Sequence, residues 1–375
     1  MRTHLISFLT ASLIVNCAHT FAQTTPAHDI AAQAHDRVAA LVENQELVGT
    51  SAAIAIDGRI VWSEAFGWED READIPATLD TMYRWASISK PLTAVVAMQL
   101  ANEGRLDLDA DIRTVVPEFP EKPYTITSRQ LLCHQGGIVH YSNGPVIHSR
   151  VNYNVSHPFE DVVVALDDFK ESPLVAEPGT TYSYTTRGYM LLGAVCQKAA
   201  NEPYWQLVHQ RIVEPLHLTT LQPDYQWIDI DHSAVGYKKR GDDIVRSTDT
   251  DVSWKLPGGG FISTVEDLTG FGMGLCTNEL LTDDLKSQMW TRQQTRDGKE
   301  TGYGLGFSVT HWDMTLVVSH SGSQEKARTY LIVLPEENVV AAIMTNSEWA
   351  NLGKATTDLA KFGLEHTTSD ADTNR

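Results

Sequence analysis

TSAAIAIDGRIVWSEAFG, residues 50–67, sets two β-type runs, 50–57 and 59–67, on either side of Asp57-Gly58. Asp-Gly between such runs signals a two-residue hairpin, because both turn positions must take positive φ to follow the strand twist. The same pattern returns near the other end of the chain. YGLGFSVTHW, MTLVVSHSG, TYLIVLP and NVVAAIMTN lie between 303 and 346, with Pro-Glu-Glu-Asn marking a turn. The simplest arrangement of these runs is one antiparallel sheet built from both ends of the chain.

Between the two ends the apolar spacing is that of helices, at 87–103, 127–133, 158–167, 187–200 and 203–213, with a further run at 264–275 after three glycines. A closing helix over about 352–366 is expected to cover the sheet. The fold class is therefore α/β in the α+β sense: an antiparallel sheet flanked by helices, with a mainly helical lobe inserted at about 105–255. A single domain over 23–366 is expected, followed by a polar tail, 367–375, with the composition of a disordered segment. No internal repeat interrupts this plan.

Composition narrows the class. With 42% hydrophobic and 21% charged residues, the 375-residue chain can bury a full core. Residues 1–22 read as a secretory signal, with Arg2, an apolar stretch from Leu5 to Val15 and Thr-Phe-Ala before Gln23. Cleavage after Ala22 and a periplasmic or secreted location are expected, and the stretch is too short to span a bilayer. A lipid anchor on Cys17 fits less well, because Asn16 stands where a small residue is wanted. The formal charge is −19, and loss of Arg2 with the signal makes it 28 minus 48, or −20. Such a charge disfavours nucleic acid and anionic membranes as partners and otherwise reads as solubility. Cys133, Cys196 and Cys276 remain, an odd number at spacings that match neither a disulfide framework nor a zinc site.

The helix-type run RWASISKPLTAVVAMQLANEG, 84–104, carries the chemistry. A helix starting at about Ser87 puts Pro91 in the first turn, where a missing N–H costs nothing. Ser87 then has a free N–H for an oxyanion, and Lys90 stands one turn later on the same face. Leu92, Val95, Val96 and Leu100 are expected to bury the opposite side. Ser-x-x-Lys alone is weak, since Ser323-Gln324-Glu325-Lys326 matches as well. Its company is informative: PGTTYSYTTRGYMLLGAV, 178–195, places Tyr184-Thr185-Thr186 just ahead of a helix, and VVSHSGSQ, 317–324, places His320-Ser321-Gly322 late in a strand.

In order and spacing these three stretches resemble the serine β-lactamase and penicillin-binding-protein family, specifically its class C-like branch, with motifs Ser-x-x-Lys, Tyr-x-Asn and Lys-Thr-Gly or His-x-Gly. The likeness runs from about 35 to 365. It includes ITSRQLLCHQGGIVHY (126–141), GGGFISTVEDLTGF and YGLGF, and the Ile-Val-His-Tyr ending is similar to the mitochondrial serine β-lactamase-like proteins. The resemblance implies that Ser87 is the acylated nucleophile, Lys90 its proton acceptor and Tyr184 a partner base that passes a proton to the leaving group. It implies that His320 helps hold Tyr184 and the substrate, that Gly322 lets substrate lie against the strand edge, and that the Ser323 N–H joins that of Ser87 as the oxyanion hole. His134 reads as a structural residue at a helix end.

Two positions depart from the pattern. Thr186 stands where the family carries Asn, and its hydroxyl can replace one hydrogen bond of the amide but not both. His320 stands where Lys is commoner, which makes a fixed cation pH-dependent. Acyl transfer is therefore expected, without strong β-lactam hydrolysis. No cofactor and no metal are called for: Gly-x-Ser-x-Gly and His-Glu-x-x-His do not occur. The alternative is a family member that binds peptide or cell-wall fragments without turnover. The tract HYSNGPVIHSRVNYNVSH, 140–157, is the candidate substrate-selecting rim.

Overall fold

The computed structural model describes residues 30–373, with side chains to 367. The expected signal segment, 1–22, lies outside the described residues. In chain order the strands are β1 (Gly49–Ile56), β2 (Arg59–Asp70), β3 (Ile75–Pro76), β4 (Tyr83–Arg84), β5 (Gln222–Pro223), β6 (Tyr237–Arg240), β7 (Asp243–Arg246), β8 (Phe261–Ser263), β9 (Ser308–Trp312), β10 (Thr315–Gln324), β11 (Ala327–Leu334) and β12 (Val339–Thr345). The helices are α1 (Ile30–Gln45), α2 (Ser89–Asn102), α3 (Ser128–Leu132), α4 (Thr186–Ala200), α5 (Tyr204–Val208), α6 (Leu256–Gly259), α7 (Val265–Cys276), α8 (Asp283–Met289) and α9 (Gly353–Thr373).

The main sheet has seven strands in the order β3-β2-β1-β12-β11-β10-β9. Its named pairings are antiparallel, and β1 lies against β12 with Thr50 opposite Thr345 and Ile56 opposite Val339. The two ends of the chain therefore meet in the middle of the sheet, as the strand pattern predicts. Asp57 and Gly58 both take positive φ, +50° and +74°, at the β1–β2 turn. β1 and β12 are buried along their whole length because helices cover both faces. One apolar core joins the sheet to α1 and α9, with Val38, Ile54, Ile343 and Leu359 at its heart. The other joins it to α7, α2 and α4, through Ala53, Ala342, Phe271 and Leu192.

Residues 105–255 add no strand to the seven-stranded sheet; they form a lobe centred on α4, with long irregular segments around it. The helix expected at 158–167 is two short 3₁₀ turns, Pro158–Glu160 and Val164–Asp168. Asp161 Oδ1 accepts from the Val163 N–H at 2.9 Å, a local bond that competes with helical pairing. The strand expected from 303 begins only at Ser308. Gly306, at φ +96°, lies so close to α2 that a Cβ there would stand 2.3 Å from Ala94 Cβ. The one-sided burial expected for α2 is also corrected: Ser89 to Met98 is buried all round, since Thr93, Ala94 and Ala97 are small enough for close neighbours on every face. The closing helix runs on to Thr373, past the expected boundary at 366.

Cys133, Cys196 and Cys276 are free thiols, and burial pushes each up to about 12. Among the described residues no helix is long and apolar enough to cross a membrane.

Candidate active site

The chain enters α2 through a pinned corner. Trp85 is fully buried; its N–H donates to Phe261 O (2.8 Å), its indole N–H to Ser263 Oγ (2.6 Å), and its carbonyl accepts from Thr329 Oγ1 (2.9 Å). Ala86 then takes φ +48°, a left-handed conformation that costs a residue with a Cβ about 1–2 kcal/mol. Strain of this kind persists where neighbours fix it, and the three bonds to Trp85 do so. Ser87 follows in a 3₁₀ turn, Ala86–Ile88, with α2 starting two residues later than expected, at Ser89.

Lys90 is fully buried, and its Nζ lies 3.0 Å from Ser87 Oγ, 3.3 Å from Thr186 Oγ1 and 2.8 Å from Gly258 O. Desolvation, and after it the charge of Lys255, hold its pKa well below the usual lysine value. A neutral amine has two N–H donors and one lone pair. The carbonyl of Gly258 and the hydroxyl of Thr186 can take the donors, leaving the lone pair for the Ser87 proton. Thr186 thus makes the one bond to lysine that its hydroxyl allows.

Tyr184 is positioned from both sides by His134. The Ser183 N–H donates to His134 O (2.8 Å), the Thr185 N–H donates to His134 Nδ1 (3.2 Å), and the two rings lie 4.2 Å apart. Thr185 caps α4, accepting from the Gly188 N–H (3.3 Å) and donating to Val139 O (2.9 Å). Tyr184 lines the same cleft as Ser87, and Lys90 Nζ stands 4.8 Å from its ring centre. Burial, the largest influence, raises the Tyr184 phenol well above its ordinary value, so it stays protonated. The expected role of partner base is thereby narrowed to that of a neutral phenol.

His320 is brought to this cluster but not to the open cleft. Its Nδ1–H donates to Ser321 O (2.8 Å), which leaves Nε2 to accept from Tyr303 Oη (3.0 Å). Burial and then the charge of Lys90 lower its pKa to about 3. The pH-dependent cation expected here is therefore corrected to a neutral imidazole, tilted at 43° to the Tyr184 ring with 6.4 Å between ring centres. At Gly322 a Cβ would point inward, 2.1 Å from Thr329 Oγ1 and 2.3 Å from Trp85 O, so the Trp85 corner requires the lack of a side chain there.

Ser87, Tyr184, Thr186 and Ser323 do line one open cleft of about 650 Å³. β9 pairs with β10 only as far as Ser319, so the Ser321–Gln324 edge has no strand neighbour on that side. From the candidate rim, His140 and Tyr141 face this cleft, while His148, Ser149 and Tyr153 line a separate, smaller cavity. His140 Nδ1 accepts from the Thr186 N–H (3.2 Å), and burial lowers its pKa to about 4. Sequence reasoning missed the Gly258 carbonyl and Lys255. The glycine run 258–260 hinted at the first, since a Cβ on Gly258 would meet Thr186 Cγ2 at 2.7 Å. Lys255 carries no pattern of its own.

The profile of the Beta-lactamase family matches residues 34–362. The human protein named "Serine beta-lactamase-like protein LACTB, mitochondrial" is 29% identical over 77% of this chain and 69% of its own length. A penicillin-binding protein homologue from Pyrococcus abyssi superposes with a TM-score of 0.72 at 24% identity, covering 88% of this chain and 76% of its own. A D-stereospecific amidohydrolase from Streptomyces sp. gives 0.70 at 24% identity, covering 88% and 97%. At these identities the two structures speak for the fold alone. With the profile spanning both ends of the sheet and every residue of the Ser87 cluster, the chain belongs to the Beta-lactamase family.

Proposed function

We propose that the protein is an exported serine hydrolase that acylates Ser87 with an ester or amide and releases the acyl group to water. The observation that carries this reading is the desolvated Lys90 amine at 3.0 Å from Ser87 Oγ, with its remaining valences directed to Gly258 O and Thr186 Oγ1. Ser87 Oγ bonds to the substrate carbonyl as its proton passes to Lys90. The carbonyl oxygen becomes an oxyanion held by the N–H groups of Ser87 and Ser323. Collapse expels the alcohol or amine, which takes the proton back from Lys90 through the Tyr184 hydroxyl. Water then repeats the sequence on the acyl-enzyme, and Ser87 is regenerated with a carboxylic acid as product.

Amides of D-amino acids and short esters are the candidate substrates, on the strength of the amidohydrolase above and of a structural neighbour described as a hydrolase with promiscuous acyltransferase activity. The test is intact mass after brief incubation with a chromogenic short-chain ester, and separately with a penicillin, beside Ser87→Ala. Turnover should fall about 10⁴-fold or more in that variant. Ester consumption that survives Ser87→Ala would overturn the assignment; no consumption and no adduct would favour a binding protein. Export is checked by sequencing the amino terminus of the mature protein, expected at Gln23.

A further inference from the structure

Lys255 closes the 3₁₀ turn Ser253–Lys255, three residues before the carbonyl that holds Lys90. The residue is only 8% exposed, yet it lines the Ser87 cleft. Among the described residues its ammonium makes no hydrogen bond and no ion pair; the Trp254 ring lies beside it, 5.8 Å from Nζ to the ring centre. The carboxylates around it are occupied or make no ion pair with it. Asp224 is bound to the Arg84 guanidinium, Asp251 accepts from the Ser253 N–H and hydroxyl, and exposed Glu325, on the same cleft, raises the Lys255 pKa without forming an ion pair. Of the other basic groups near the cleft, Lys90 is held by Ser87, Thr186 and Gly258, burial lowers the His140 pKa to about 4, and His320 faces away.

The Lys255 side chain is largely buried, while its ammonium, without a protein partner, is reachable from the cleft and so is open to a ligand anion. Resting on the serine hydrolase reading, we propose that Lys255 binds a carboxylate of the substrate, so that the preferred esters and amides carry a negative charge close to the scissile bond. Burial lowers its pKa, and a bound carboxylate would raise it again. The carboxylate can belong to the acyl half or to the leaving half, as in a peptide with a free carboxyl terminus.

Three probe esters separate these cases: neutral 4-nitrophenyl butyrate, mono-4-nitrophenyl glutarate with the charge in the acyl half, and 4-carboxyphenyl butyrate with it in the leaving half. In Lys255→Met the ratio of kcat/KM for one charged ester over the neutral one should fall at least tenfold, mainly through KM, and Lys255→Arg should restore most of it. The ratio cancels any change that loss of the Lys255 charge makes to Lys90. A parallel fall for all three esters would overturn the proposal. Calorimetry of glutarate and benzoate with Ser87→Ala, with and without Lys255→Met, reads the site without turnover. Weakening by Lys255→Met there supports the anion site even if Ser87 proves not to be a nucleophile, and equal affinity in both proteins refutes it.

Discussion

Burial lowers the Lys90 pKa while three oxygens hold its amine in place, and its titration has a defined direction. Its folded pKa lies below the ordinary value of 10.5, so the amine is freed as pH rises through the folded value, and kcat/KM should rise with it. Between the folded pKa and 10.5 the unfolded chain binds the extra proton, so stability also increases with pH there. A pH series of kcat/KM on a neutral ester checks the first effect; an acid limb that stays in place in Lys255→Met would contradict the charge coupling between the two lysines, which predicts that it moves to higher pH. His320 gives the opposite signature. With a pKa of about 3 its imidazole resonance should stay constant from pH 5 to 9, and a titration near 6.5 would show that it reaches solvent. At this scale Ser87, Lys90, Tyr184 and Thr186 were legible because their spacing is local or motif-borne. Gly258 was not, since it acts through a carbonyl and carbonyls leave no mark on residue type.

Two elements meet at the nucleophile, and each rests on a contact that one methyl group can test. Gly322→Ala forces a Cβ into Thr329 Oγ1 and the Trp85 carbonyl, so about 1–3 kcal/mol of stability should be lost, read by urea unfolding, together with turnover. An unaffected variant would show that β10 can move away from the corner. Thr185→Ala removes the cap of α4 and the donor to Val139 O; about 1 kcal/mol should be lost, and kcat should fall up to about tenfold as Thr186 and Tyr184 shift, with Thr185→Ser restoring both. The hairpin at Asp57-Gly58 and the helix after Thr185 could be read in the sequence because turn and cap residues announce themselves. The coil at 303–307 could not, for its strand-like residues obey a long-range demand, the close approach of Gly306 to α2.

For the molecule as a whole, joining β1 to β12 makes the centre of the sheet wait for the end of the chain. A fragment ending before Val339 should yield no protease-resistant product, because β1 and β11 would both lack their central neighbour. The formal charge of −19 sets a second condition: it repels an anionic substrate at long range, while Lys255 attracts it at contact. Raising salt from about 20 to 200 mM should therefore increase kcat/KM for the preferred charged ester about two- to threefold and leave the neutral one unchanged. The two-ended sheet was legible because β-type runs cluster at both ends, whereas the anion site depends on three-dimensional isolation, which no spacing records. The same two-ended plan packs α1 and α9 side by side on one face, joined by Arg37 Nε and Asp358 at 2.6 Å. Ser87 and Thr186, which line the cleft, belong to the other side of the sheet, where α2 and α4 pack. Fastened to a solid support through either α1 or α9, the molecule would be held by the face of the sheet that carries no residue of the Ser87 cluster, so a point of attachment for an immobilised catalyst is already written into its topology.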